Sequence, residues 1–216
     1  MRTRFAPIIA AAVPMLLIAA CSSNTEKIES KASLSQAKST QGASPSSAKG
    51  HAAEAGSAVS LNNLTWDVPP GFEAQEPSNP MRMAQYRIPA GKPETRDGEL
   101  AIFFFGEGGG GETQANLERW AGQFKQEDGG DPMRKAALDS WRTAAGLKIS
   151  TIDLSGRYET AMMGAPSMNE SGWRLYGAVV EGPGGPWFLK AVGPDDLIAS
   201  SRPVLRALLE GLRGGE

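Results

Sequence analysis

The chain has 216 residues, with 22 Lys and Arg against 24 Asp and Glu, one Cys and one His. With Cys21 the sole thiol and His51 the sole imidazole, no intrachain disulfide, Cys/His zinc site, Ser-His-Asp triad or Cys-His pair can be assembled. Residues 61–216 hold 16 Lys and Arg against 21 Asp and Glu, a charge of −5, which argues against nucleic acid as a partner.

Residues 1–20 begin with Arg2 and Arg4, continue as an apolar run from Ile8 to Ala20 and end in small residues. The run is too short to span a bilayer and reads as a removable secretory signal. Leu17-Ile18-Ala19-Ala20-Cys21 resembles the lipobox of bacterial lipoproteins. That resemblance implies lipidation of Cys21 on its sulfur, a new N-terminus at Cys21 and attachment to a membrane through palmitate-type chains. Two or more acyl chains make such an anchor stable where one would be reversible. By the sorting rule of two-membrane bacteria, Ser22 rather than Asp after the cysteine implies the outer membrane, with the protein facing the periplasm.

Residues 21–60 follow as a lipidated Cys and a Ser-rich tether, with 11 Ser and no aromatic residue between Ser22 and Ser60. Such a composition cannot bury enough apolar area to offset the entropy of ordering, so the segment is expected to be disordered. A flexible chain of this length spans roughly 35 Å root-mean-square. Lys27, Lys31, Lys38 and Lys49 alternate with Glu26, Glu29 and Glu54, which reads as a solvated linker.

Residues 61–216 are expected to form a single globular domain of ordinary size. Leu64–Val68 and Met81–Ile88 read as half-buried strands separated by a Pro69-Pro70-Gly71 turn. Leu100–Phe105 is continuously apolar and reads as a central strand covered on both faces. It runs into the glycine loop Gly106–Gly111, which contains Glu107 and is followed by Glu112. No Walker Lys is present and the two carboxylates would repel an anion, so the loop reads as a flexible connection or lid rather than a phosphate cradle.

Thr113–Lys125 has helical periodicity, with Leu117, Trp120, Ala121 and Phe124 on one stripe and Asn116, Arg119 and Gln123 on its flank. Further strands are predicted over Gly146–Tyr158, Trp173–Val180 and Trp187–Val192, the last two joined as a hairpin around Gly182-Pro183-Gly184-Gly185. Pro194, Asp195 and Asp196 suit the first turn of a helix. Because Pro203 is disfavoured inside a helix, a short helical turn before it and a separate C-terminal helix over Arg202–Leu212 are expected. The order predicts an α+β fold with about six or seven mostly antiparallel strands flanked by helices.

No spacing brings carboxylates such as Glu99 and Asp153, or Asp195 and Asp196, together for catalysis, so no catalytic, cofactor-binding or metal-ligating residue is assigned. Lys190, between Leu189 and Ala191 in a strand, is expected at an edge with its head in water, the alternative being a buried, pKa-shifted amine. Asn116, Arg119, Gln123 and Lys190 are the candidate partner-binding residues.

Trp66-Asp67-Val68-Pro69-Pro70-Gly71-Phe72, Asn116-Leu117-Glu118-Arg119-Trp120-Ala121-Gly122-Gln123 and Trp187-Phe188-Leu189-Lys190, with Gly193-Pro194 after them, together resemble an uncharacterised family of bacterial lipoproteins and secreted proteins. The family is more distantly similar to PsbP-like proteins. The resemblance implies an α-β-α sandwich that serves as an accessory or binding module in the cell envelope, its partner an envelope protein or small molecule, and it carries over no catalytic residue. The alternatives are an envelope hydrolase or transferase using carboxylates and Lys190, and a structural envelope-assembly factor.

Overall fold

Along each long strand successive side chains point to opposite faces, and here both faces are apolar for much of their length, so both must be covered. A computed structural model describes residues 54–160 and 168–214. The signal, Cys21 and the tether up to residue 53 lie outside the described residues. The elements in chain order are β1 (Ala58–Leu61), β2 (Leu64–Asp67), β3 (Glu73–Gln75), β4 (Arg82–Ile88), β5 (Gly98–Phe104), α1 (Thr113–Ala121) and β6 (Phe124–Lys125). After them come α2 (Pro132–Lys135), β7 (Ala137–Arg142), β8 (Lys148–Thr160), β9 (Met168–Gly182), β10 (Gly185–Pro194), α3 (Asp195–Glu210) and β11 (Arg213–Gly214).

The main sheet runs β3-β4-β5-β10-β9-β8-β6, with β7 also paired to β8, and a small second sheet runs β1-β2-β11. Every pairing is antiparallel. Leu100, Ile102, Ala178, Val180, Trp187 and Leu189 face Leu205, Leu208 and Leu209 of α3 and Trp66 of the small sheet. Ile152, Leu154, Leu175, Val179 and Phe188 face Leu117, Trp120 and Ala121 of α1 on the other side. The result is an α-β-α layering with two separate cores. Each fully buried large side chain contributes about 1.5–3 kcal/mol. Trp66 donates its indole N–H to the Tyr86 hydroxyl at 2.8 Å, which satisfies the polar handle that a buried Trp carries inward.

Three expectations are corrected and one stretch is added. Order begins before residue 61: Ala58–Leu61 is a strand, because Val59 and Leu61 pack on the apolar core and Ser60 pairs its hydroxyl with Thr65. The helix over Thr113–Lys125 stops at Ala121, since Phe124 gains more by lying fully buried against Tyr158, ring centroids 5.0 Å apart, while its backbone joins β8. Pro203 does not divide the C-terminal helix, which is continuous over Asp195–Glu210. Proline frees the carbonyl four residues back, and Arg202 Nε donates to that Ala199 carbonyl at 3.3 Å. Residues 131–142, which carry no sequence assignment, form α2 and β7. Asp131 caps α2 by accepting from Met133 N at 2.9 Å, with Pro132 in the first turn.

The expected hairpin is β9–β10, with Gly182 opposite Gly185 and Gly184 at φ +74° after Pro183, the residue order a type II turn requires.

Candidate functional site

Lys190 does not sit at an edge. Its strand β10 lies between β5 and β9, with Ala101 opposite on one side and Gly177 on the other. Alternation sends Lys190 to the α1 face, since Leu189 and Ala191 belong to the α3 core. The two small neighbours leave room on that face, and Trp120 of α1 occupies the space over Gly177, where an added Cβ would lie 2.6 Å from the indole. The half-buried amine then donates to Gln123 Oε1 at 2.5 Å and to the Tyr158 hydroxyl at 3.0 Å, and lies 5.1 Å from the Tyr158 ring centroid. Burial disfavours its charged form and lowers its pKa from 10.5 to about 8. Glu99 opposes that shift, while Arg119 and Arg82 reinforce it. Burial, with Glu99 adding to it, raises Tyr158 to about 12.

On the other side of Ala101 lies Gln85 of β4. Arg82, opposite Phe103, runs along the strands to place Nη1 2.7 Å from Glu99 Oε1. The pair is close but out of line for a hydrogen bond, and Arg82 Nε is buried with no acceptor among the described residues. Gln85 Nε2 donates to Glu99 Oε2 at 2.9 Å. Arg82 and Lys190 therefore converge over one alanine, with a single carboxylate between them.

The helix flank divides. Gln123 joins Lys190 from just beyond the end of α1. Asn116 is buried and donates to the carbonyls of Gly110 at 2.8 Å and Glu112 at 2.9 Å, while its Oδ1 accepts from Arg119. It fastens the glycine loop to α1. That loop is not slack: Gly109 N donates to Gly106 O at 3.1 Å, and a Cβ on Gly110 would overlap the Phe188 ring. Arg119 is exposed and acts on Lys190 through its charge.

Glu99 and Asp153 lie on opposite faces of the sheet. Asp153 accepts from Arg174 Nη1 at 2.6 Å and Arg202 Nη1 at 2.9 Å. It lines a cleft of about 450 Å³ between β7, β8, β9 and α3, with Asp139, Tyr176 and Arg206. Asp195 is bound by Arg174 Nε at 2.5 Å. Among the described residues no three His, Cys, Asp or Glu side chains gather as a metal site. Arg82, Gln85 and Tyr158 carry no expectation from the sequence, and Glu99 enters there only as a scattered carboxylate. The alternation of Glu99, Ala101 and Phe103 places those three on one face, but only strand register brings Lys190, Gln85 and Arg82 to them.

The fold is an α+β domain with a mostly antiparallel sheet between helices. The solution structure of cyanobacterial PsbP (CyanoP) from Synechocystis is similar over 73% of this chain and 91% of its own, at 10% identity and a TM-score of 0.45. The crystal structure of a protein of unknown function from Pseudomonas aeruginosa is similar over 74% of this chain and 95% of its own, at 14% identity and a TM-score of 0.38. These are likenesses of fold. No family model matches the chain, and no curated protein sequence matches it.

Proposed function

We propose that the chain is a lipid-anchored protein of the cell envelope whose domain binds a partner or small molecule without transforming it. Leu17-Ile18-Ala19-Ala20-Cys21 at the end of a basic-then-apolar leader carries the anchor. Residues 22–57, ahead of β1, are the tether in this reading, and the outer membrane's periplasmic leaflet is the proposed site of attachment. A binding role is supported by the cluster over Ala101, where one carboxylate faces two cationic groups and buried guanidinium N–H groups have no hydrogen-bonded acceptor among the described residues. Such a cluster is poised to receive a ligand. Hydrolytic or transferase chemistry would need a second carboxylate beside Lys190, and Asp153 lies across the sheet.

Metabolic labelling with palmitate, read after membrane fractionation, tests the anchor. Wild type is expected to be labelled and sedimented with membranes, and Cys21→Ser to be unlabelled and released. An unlabelled, soluble wild type overturns the reading.

A further inference from the structure

Resting on the binding reading above, we infer that the surface over Ala101, between Arg82, Lys190 and the Phe103–Phe105 pair, is a binding site for a carboxylate carried on an apolar body. Three observations converge on it. The first is the charge count: Arg82 and Lys190 against Glu99 leave a local surplus of one positive charge within a domain that is acidic overall, so one monoanion balances the cluster. Arg119 adds a screened attraction from the rim.

The second is the inventory of donors. Lys190 has three N–H groups and uses two, on Gln123 and Tyr158, and Arg82 Nε and Nη1 are both buried without a hydrogen-bonded acceptor among the described residues. An unmet buried donor is unfavourable, and an incoming acceptor relieves it. Donors left over on both cations suit the two oxygens of one carboxylate, and the cluster already receives that group, since Glu99 is held by Gln85 and approached by Arg82. Glu99 keeps 44% of its side chain exposed, so the cluster opens to solvent.

The third is the apolar shoulder. Phe103 and Phe105 stack with centroids 6.4 Å apart, Arg82 lies 5.9 Å from the Phe103 centroid, and Phe105 remains 45% exposed. An apolar group attached to the carboxylate covers these rings, in the usual arrangement of a few convergent polar groups beside an apolar wall.

The test is isothermal titration calorimetry of the full-length, detergent-solubilised protein with 3-phenylpropionate, and with 3-phenylpropanol as the same body lacking the charge. Saturable binding of 3-phenylpropionate is expected, at least tenfold tighter than that of the alcohol. Arg82→Gln and Lys190→Gln should each weaken it about tenfold, and Glu99→Gln should tighten it several-fold by removing the competing carboxylate. That gain is one a merely structural Glu99 would not produce, and unchanged circular dichroism shows that the variants are folded. Equal binding of acid and alcohol, no binding of the acid at 20 mM, or tighter binding of phenyl phosphate than of the acid overturns the assignment. A null result here, with a ligand or protein cross-linked elsewhere on the membrane-bound chain, would remove this site while leaving the binding function standing. Palmitate labelling tests the anchor independently of both.

Discussion

Glu99 and Asp153 occupy opposite faces of one sheet, and each is approached by positively charged side chains, yet they are built to different standards. Around Asp153, Arg174 divides its donors between Asp153 and Asp195, and Arg202 takes the remaining Asp153 oxygen. Donors and acceptors are matched, and α3 is tied to the sheet at its first turn and again about two turns on. Around Glu99 the guanidinium is out of line, its Nε and Nη1 have no hydrogen-bond partner among the described residues, and a half-buried amine stands beside it. Alignment and charge balance mark a structural tie; surplus charge and idle donors mark a surface that is waiting for a partner.

The largest way to break the contrast is Trp120→Ala, which removes the indole sheltering Lys190 and leaves the Asp153 side intact. Loss of a buried Trp costs about 3–5 kcal/mol, so a fall in Tm of roughly 10 °C is expected by calorimetry, with the Lys190 amine returning toward its ordinary pKa by NMR. A small loss would mean that α1 does not seal this face.

Next in size is a matched pair of substitutions. Asp153→Asn leaves Arg174 short of a charge partner in a site only 10% exposed on the acid's side, and should cost about 2 kcal/mol, below the full buried-pair penalty because Arg202 is half in water. Glu99→Gln should stay within about 0.5 kcal/mol. Denaturant midpoints measure both, and equal losses would erase the distinction.

The smallest effect is a pH dependence. Lys190 titrates near 8 in the fold against 10.5 in an unfolded chain, so between these values the unfolded state binds more protons and stability rises with pH. Tyr158, held at about 12 against 10, acts oppositely: its contribution is complete below pH 10 and is lost as pH climbs toward 12. Wild type should therefore gain stability from about pH 8 to 10 relative to Lys190→Met, and the gain should level off above 10. Parallel curves would show that the amine is as hydrated as a surface lysine.

Much of the layering was legible because it depends on local pattern. Leu100–Phe105 announces a doubly covered strand, and Pro183-Gly184 between two apolar runs announces the hairpin. The continuity of α3 was not legible, because proline is rejected by a local rule and rescued by the preceding residue's guanidinium. β7 was not, because five of its six residues, all but Trp141, are exposed and it is held mainly by pairing to β8. The site was half legible. Lys190, Gln123 and Asn116 drew attention as polar residues in apolar settings, but Arg82, Gln85 and Glu99 reach Lys190 across strand register, which no single segment encodes. Lys190 was misplaced at an edge because strand order, unlike strand identity, is a property of the whole sheet.

The run Gly106–Gly111 has a consequence for how this surface can change. Its peptide backbone lies directly on Phe105 and Phe188, so main chain, beside the Trp120 indole, covers part of an aromatic face that side chains would ordinarily cover alone. Lengthening the run would pull Gly110 away from the amide of Asn116, and shortening it would strip the roof from Phe188. Five glycines around a single Glu107 suggest interchangeable slack, yet the segment behaves as a fitted part whose length, more than its composition, is constrained.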